Sequence, residues 1–240
     1  SSSRKLASIQ IIREICDIPK ADSIQVAKVL GWECVVKKGE FRPGDKIIYL
    51  EIDSVCPKAP WSAFLESKKF RIKTIKLRGQ ISQGLIVSIR EVLGDIEKSI
   101  LLEEGMDITE VIGITKYELP APKHHEAAGN FPLFLSKTDE IRIQSKPGLL
   151  EEMKELPFVA TVKCDGQSGT FYKYQGHFGV CSRNFELKPP TEDKQPSNWW
   201  LVAKKYNLEQ VIPEGYAVQG EIVGPGIQGN RLGLKEVDLY

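Results

Sequence analysis

From Lys5 to about Ile89 the chain runs in short β-prone segments, each stopped by a turn residue, and this texture points to a small β-barrel. The segments are LASIQIIREI, SIQVAKVLG, WECVVKKG, KIIYLEIDSV, FRIKTIKLRG and GLIVSI. Between them stand Pro19 with Asp22, Gly31, Gly39, Pro43-Gly44-Asp45 and Gly79. β-Branched and aromatic side chains suit a half-buried pleated surface, whereas Pro, Gly and Asp set turns. Closing such strands on themselves removes the unpaired sheet edges that separate short strands would expose.

The texture changes over residues 116 to 134, KYELPAPKHHEAAGNFPLF, where the periodicity is lost and Pro, Ala, Gly and His accumulate. A chain of 240 residues is long for one domain, since domains usually hold about 100 to 200 residues. The expected organisation is therefore a barrel over 1–115, a linker over 116–132 and a second domain over 133–240. His124 and His125 are adjacent and have no nearby cysteine or second histidine pair, so they read as linker side chains and not as metal ligands. The five cysteines at 16, 34, 56, 164 and 181 are odd in number and lack a CxxC pair. They are expected as free thiols of an intracellular protein, cytoplasmic or nuclear. No apolar run approaches the roughly 20 residues of a membrane helix, and SSSRKLASIQIIREI lacks the apolar core of a secretory signal.

The net charge is only +1, so any attraction for nucleic acid must be local. Between Lys68 and Arg78, KKFRIKTIKLR holds six cations and no acid. Arg71 and Lys73 alternate with apolar residues up to Thr74, where the order inverts before Lys76 and Arg78. A strict strand period cannot keep all four on one side, but a bulge near Thr74 would give a single basic face for RNA phosphates. A solvated edge strand whose cations discourage aggregation is the alternative.

In the second half, Thr138 offers a cap before an acidic turn, and PGLLEEMKELP reads as a short helix between prolines. FVATVK, SGTFYKY, HFGVCS and YAVQGEIVG read as strands, and SNWWLVAKKYNLEQ as a helix starting near Ser197. Trp199 and Trp200 are expected to pack on the core. Within FVATVKCDGQSGTFY, Lys163 stands between two β-prone runs and is followed at once by Asp165-Gly166, giving Lys-x-Asp-Gly. Asp-Gly alone is also a hairpin signal. Three further segments accompany the lysine in order: KTDEIRIQ from Lys137 to Gln144, SRN from Ser182 to Asn184, and GEIVGPGIQ from Gly220 to Gln228.

In these motifs the chain resembles the ATP-dependent RNA ligases of the RNA ligase 2 superfamily, in the branch that places an OB-fold domain before the nucleotidyltransferase domain. LRGQISQGLI is also similar to OB modules that bind tRNA. The resemblance implies an α+β chain, with an N-terminal OB-fold β-barrel followed by an adenylylation domain of antiparallel sheets and flanking helices. It implies an enzyme that seals 3′-OH/5′-phosphate nicks in duplex RNA through a lysyl-AMP intermediate, as a monomer, with ATP and magnesium or manganese as cofactors and no membrane. Lys163 would be the nucleophile that takes AMP, and Asp165 with Gly166 would hold the ribose and the metal's water shell. Arg142 would orient the departing pyrophosphate. Arg183 would contact the nucleotide or the RNA 5′-phosphate, and Glu221 the ribose or metal.

The order of domains disfavours a capping enzyme or DNA ligase. A non-catalytic OB-fold RNA-binding protein with a degenerate nucleotidyltransferase domain stays open as the alternative. Gly224-Pro-Gly226-Ile-Gln-Gly229 spells GxGxxG, but it does not lead into a helical pattern, so a dinucleotide fold is not expected. Glu214-Gly215 precedes GEIVGPGIQ and takes no role. The resemblance also implies a later adenine-stacking aromatic, a metal glutamate and a Lys-x-Lys motif. These do not occur before Tyr240, so the polypeptide is expected either to continue or to have lost late steps.

Overall fold

The computed structural model describes residues 4–95, 101–117, 126–137 and 140–240. His124, His125 and Thr138 lie outside them. The chain forms two compact units, one of Ser1–Glu118 with Glu140–Leu156, the other of Leu119–Asp139 with Pro157–Tyr240.

In the first unit, β1 (Ala7–Ile11) pairs antiparallel with β5 (Lys46–Leu50), which pairs with β9 (Leu85–Val87). A meander of β2 (Glu14–Asp17), β3 (Ile24–Val29) and β4 (Trp32–Lys37) forms a second sheet. β6 (Ser54–Val55) pairs with β10 (Thr115–Lys116), and β7 (Ile75–Leu77) with β8 (Gln80–Ser82). The meander continues towards β8 and β9, because Gln83 N donates to Glu33 O at 2.8 Å and Val35 N to Ser82 Oγ at 2.9 Å. The strands enclose one core of Ile9, Val29, Trp32, Ile47, Ile48, Tyr49 and Leu50. β4 shows how the sequence sets this: Trp32, Cys34 and Val36 are buried, while Glu33 and Lys37 face solvent, the period-two alternation of a half-buried strand. α1 (Ile89–Leu93) follows β9.

Residues Glu140–Leu156, expected in the second domain, count with this first unit. Gly31 N donates to Gln144 O at 2.8 Å, and a Cβ on Gly31 would stand 2.8 Å from Gln144 Cα. Only glycine allows so close a backbone approach. Trp32 Nε1 donates to Ser145 Oγ at 3.3 Å, and that hydroxyl donates to Glu51 Oε1 at 2.6 Å. The short helix expected in PGLLEEMKELP is α2 (Leu149–Glu152).

The second unit is built on an antiparallel sheet. Its strands are β11 (Ala127–Asn130), β12 (Gln167–Tyr174), β13 (His177–Cys181), β14 (Phe185–Leu187), β15 (Ala217–Val223) and β16 (Asp238–Leu239). Their spatial order is β11-β14-β13-β12-β15-β16. Gln175 and Gly176 join β12 to β13 with φ of 51° and 76°, as two-residue hairpin loops require. Three of the four expected strands are thus β12, β13 and β15. The fourth, FVATVK, is not a strand: 157–165 forms no regular structure, and Phe158, Val159 and Val162 are 63%, 88% and 80% exposed. The pairing of β12 with β15 starts only at Gln167, opposite Ile222.

The expected helix from Ser197 divides into α3 (Asn198–Lys205) and α4 (Leu208–Val211), because Asn207 takes a left-handed φ of 52° between them. Val202 and Ala203 of α3 are buried, and with Leu208 and Ile212 they share a core with Phe171, Val180, Ile222 and Ile227. Trp199 and Trp200 pack against it; Trp199 Nε1 donates to Ser168 O at 2.9 Å. All five cysteines are free, with Cys34, Cys56 and Cys181 buried. Burial pushes each of these three thiols up to about 12. Among the described residues no helix is long and apolar enough to cross a membrane.

Candidate active site

The Lys-x-Asp-Gly segment leads into β12 and is fixed there by β15. Gly166 N donates to Glu221 Oε1 at 3.0 Å. A Cβ on Gly166 would lie 2.1 Å from Ile222 O, so the segment rests directly on the backbone of β15. Glu221 is in turn held by a reciprocal pair, its N donating to Tyr240 O at 2.8 Å and Tyr240 N to its own O at 3.1 Å. Asp165-Gly166 is therefore not a hairpin turn between strands. Its backbone is bound to a carboxylate 55 residues further along.

Antiparallel register brings the SRN and GEIVGPGIQ motifs to the same end of the sheet. Thr170 pairs with Cys181 and Ser168 with Glu221, so the start of β12, the end of β13 and the end of β15 coincide. The Ser182-Arg183-Asn184 turn follows β13 there, with Ser182 N donating to Phe185 O at 2.9 Å. Arg183 is exposed. Lys163 is exposed too, and makes no hydrogen bond or ion pair among the described residues. Its Nζ is thus not tied down by any of them.

Two residues without an assigned role join this group. Lys137 Nζ donates to Asn184 Oδ1 at 2.9 Å and stands 5.3 Å from the Phe131 ring centroid. Its signal was its place at the head of KTDEIRIQ. Arg231 Nε lies 3.6 Å from Asp165 Oδ2. Its signal was a cation just beyond the glycine-rich GPGIQG, a stretch that otherwise imitates a dinucleotide motif. No helix follows that stretch.

Arg142 belongs to the first unit. Its guanidinium is 3.9 Å from Asp53 Oδ2 and lies over the Trp32 ring at 5.8 Å. The basic stretch does not form one long strand: Lys68 ends a 3-10 helix, Arg71 makes an isolated bridge to Val55, only Ile75–Leu77 is a strand, and Arg78 turns the chain with φ 48°. Arg71 is drawn inward, 2.8 Å from Asp53 Oδ1 and stacked 3.5 Å from the Tyr117 ring centroid. Lys73, Lys76 and Arg78 remain exposed. The four cations therefore have different surroundings, three solvated and one engaged.

A family model described as an OB-fold domain matches residues 6–89, and one described as RNA ligase matches residues 156–239. Among solved structures, a mutant of the Naegleria gruberi RNA ligase with AMP and Mn is 38% identical, covering 99% of this chain and 72% of that one, with a TM-score of 0.79. The same ligase with PPi gives 38% identity, 99% and 72% coverage and a TM-score of 0.78. A further mutant with ATP and Mn gives 39%, 99% and 72%, and 0.77. The chain belongs to the RNA ligase family. Its first unit carries the OB fold, and the ligase region opens just before the Lys163 segment. A comparison with curated proteins found no match.

Among the described residues of this ligase-family chain, no group of three or more His, Cys, Asp or Glu side chains is placed to hold a metal. Magnesium-type ions, however, commonly take one or two protein carboxylates and complete their shell with water and nucleotide phosphates. Two carboxylates adjoin Gly166, Asp165 in sequence and Glu221 through the 3.0 Å bond from Gly166 N. They do not form a protein-only cage.

Proposed function

We propose that the protein is an ATP-dependent RNA ligase that seals 3′-OH/5′-phosphate nicks in duplex RNA through a covalent AMP on Lys163. The observation that carries this reading is the Lys-x-Asp-Gly segment seated on Glu221, in a chain 38% identical over 99% of its length to a ligase solved with AMP and Mn. Variants of that ligase include replacements of a lysine and of an aspartate two residues further on, the spacing of Lys163 and Asp165.

In the first step the lone pair of Lys163 Nζ forms a P–N bond to the α-phosphorus of ATP, the bond to the bridging oxygen breaks, and pyrophosphate leaves. The lysine proton is lost to solvent. An RNA 5′-phosphate oxygen then takes the AMP from Nζ, and attack of the 3′-OH on that 5′-phosphorus releases AMP. Magnesium or manganese, with Asp165 and Glu221 as its protein carboxylates, would neutralise charge building on the phosphates. Gly166 keeps the segment against β15, and Arg183 and Lys137 add positive charge at the same end of the sheet. Arg142 is assigned to the departing pyrophosphate. The exposed Lys73, Lys76 and Arg78 are assigned to RNA phosphates.

Incubation with labelled ATP and a divalent metal tests the reading: an AMP label that stays with the denatured protein, stable to alkali and released by acid as a lysine phosphoramidate is, is the expected result. Its absence, with RNA binding intact, would leave the non-catalytic RNA-binding alternative.

The basic stretch gives a separate prediction. Replacing Lys73, Lys76 and Arg78 together by serine is expected to weaken RNA binding and to reduce its salt slope by about 0.7 to 0.9 per lost phosphate contact. Thermal stability should be unchanged. Replacing Arg71 instead leaves Asp53 without its 2.8 Å partner and strips the Tyr117 ring, so melting temperature should fall with little change of slope. Salt titrations and thermal melts of the two variants decide this, and an unchanged slope in the triple variant would return those cations to a solvated edge.

A further inference from the structure

The loop after β15 is built more tightly than a connection to β16 needs. Gly226, Gly229 and Gly233 take left-handed φ of 78°, 73° and 64°, and so do the non-glycine residues Gln228 and Asn230, at 45° and 46°. Such conformations are costly for side-chain-bearing residues and tend to cluster at functional sites. Asn230 clamps the loop across its width, its Nδ2 donating to Leu234 O at 2.9 Å and its Oδ1 accepting from Leu234 N at 3.0 Å. Ile227 anchors it in the core at 1% exposure. At the loop's base Gly224, with φ 138°, is pressed so close to the chain before β16 that a Cβ would meet Glu236 O at 2.7 Å.

This rigid frame holds one cation outward. The Arg231 side chain is 75% exposed, and its ion pair with Asp165 at 3.6 Å is of a solvated kind that adds little to stability. The ion pair therefore does not account for the placing of Arg231. We infer that Arg231 is a phosphate-binding residue of the adenylylation site, carried by the loop from Gly224 to Leu234 and directed at a nucleoside triphosphate. In the free chain its guanidinium rests on Asp165. When ATP and its ion engage Asp165, the guanidinium is released to the phosphates, whose oxygens match its planar fork of donors. The inference rests on the ligase reading above.

The test compares the wild type with Arg231→Ala and Arg231→Lys in equilibrium binding of ATP and adenosine, in the rate of lysyl-AMP formation, and in sealing of RNA already adenylylated at its 5′ end. Loss of a charge-assisted contact predicts about ten- to hundredfold weaker ATP binding and a matching rise in KM for Arg231→Ala. Arg231→Lys should recover part of the loss. Adenosine binding and sealing of pre-adenylylated RNA should stay within about twofold, because neither uses the triphosphate. Unchanged ATP binding in Arg231→Ala overturns the inference, and so does an equal fall in adenosine binding and sealing, which would mark a structural role. If the wild type forms no lysyl-AMP, the ligase reading fails, and the ATP-binding comparison still decides for or against Arg231.

Discussion

Lys163→Ala is expected to reduce AMP labelling of the protein to background, and Lys163→Arg to do the same. Alanine has no nucleophile. Arginine keeps the charge and much of the length, but its guanidinium stays protonated and offers no lone pair to phosphorus. The exposure of Lys163 and its lack of partners among the described residues make these variants clean: exposed substitutions of this kind usually change stability by less than about 0.5 kcal/mol. Melting temperatures should therefore match the wild type. Sealing of RNA that already carries AMP on its 5′-phosphate should persist in both, since the third step does not use the lysine as nucleophile. Labelling of either variant at the wild-type rate would remove Lys163 from the mechanism. Loss of labelling together with unfolding would instead assign it a structural role that its surroundings do not suggest.

The strands at the centre of the second unit were legible because each carries its own signal. β12, β13 and β15 have β-branched and aromatic residues between turn residues, and Gln175-Gly176 closes the hairpin between the first two. FVATVK carries the same local signal and is not a strand. Composition records a preference for extended backbone, but a strand also needs a neighbour to accept its hydrogen bonds, and β15 receives the chain only from Gln167 onward. Asp165-Gly166 was ambiguous for a related reason: a hairpin turn and a catalytic segment look alike within four residues. The distinction lies in Glu221, which binds Gly166 from far along the chain.

Long-range pairing also explains the other departures. Nothing local in KTDEIRIQ announces that Gln144 will meet Gly31, or that Ser145 will bridge Trp32 and Glu51, yet these contacts join Glu140–Leu156 to the first unit. In the same way KKFRIKTIKLR reads as uniformly basic, while Asp53 and Tyr117, from either side in sequence, single out Arg71. Lys137 opens a motif already noticed, and Arg231 stands two residues beyond another. They lacked a role because their partners, Asn184 and Asp165, become neighbours only through the register of the sheet.

Gly166→Ala is the second substitution expected to abolish adenylylation, although it removes no functional group. The added Cβ would stand 2.1 Å from Ile222 O and 2.7 Å from Val223 Cγ1. The first of these is backbone, and it cannot yield: Ile222 is paired on one side with Gln167 of β12 and on the other with Leu239 of β16. The Lys-x-Asp-Gly segment must move instead, lengthening the 3.0 Å bond from Gly166 N to Glu221 Oε1 and carrying Asp165 and Lys163 with it. Displacing a nucleophile by about 1 Å can cost about a hundredfold in rate, so labelling should fall at least that far. Overpacking of this kind costs about 1 to 3 kcal/mol, which for a chain of this size lowers the melting temperature by about 2 to 4 °C per kcal/mol. Gly148→Ala is the matched control, because a Cβ there meets no heavy atom within 4 Å and φ is −68°; it should leave labelling and melting unchanged. If Gly166→Ala labels as fast as Gly148→Ala, the close seat on β15 does not position the lysine, and Glu221 must serve the reaction in some way other than by holding that backbone.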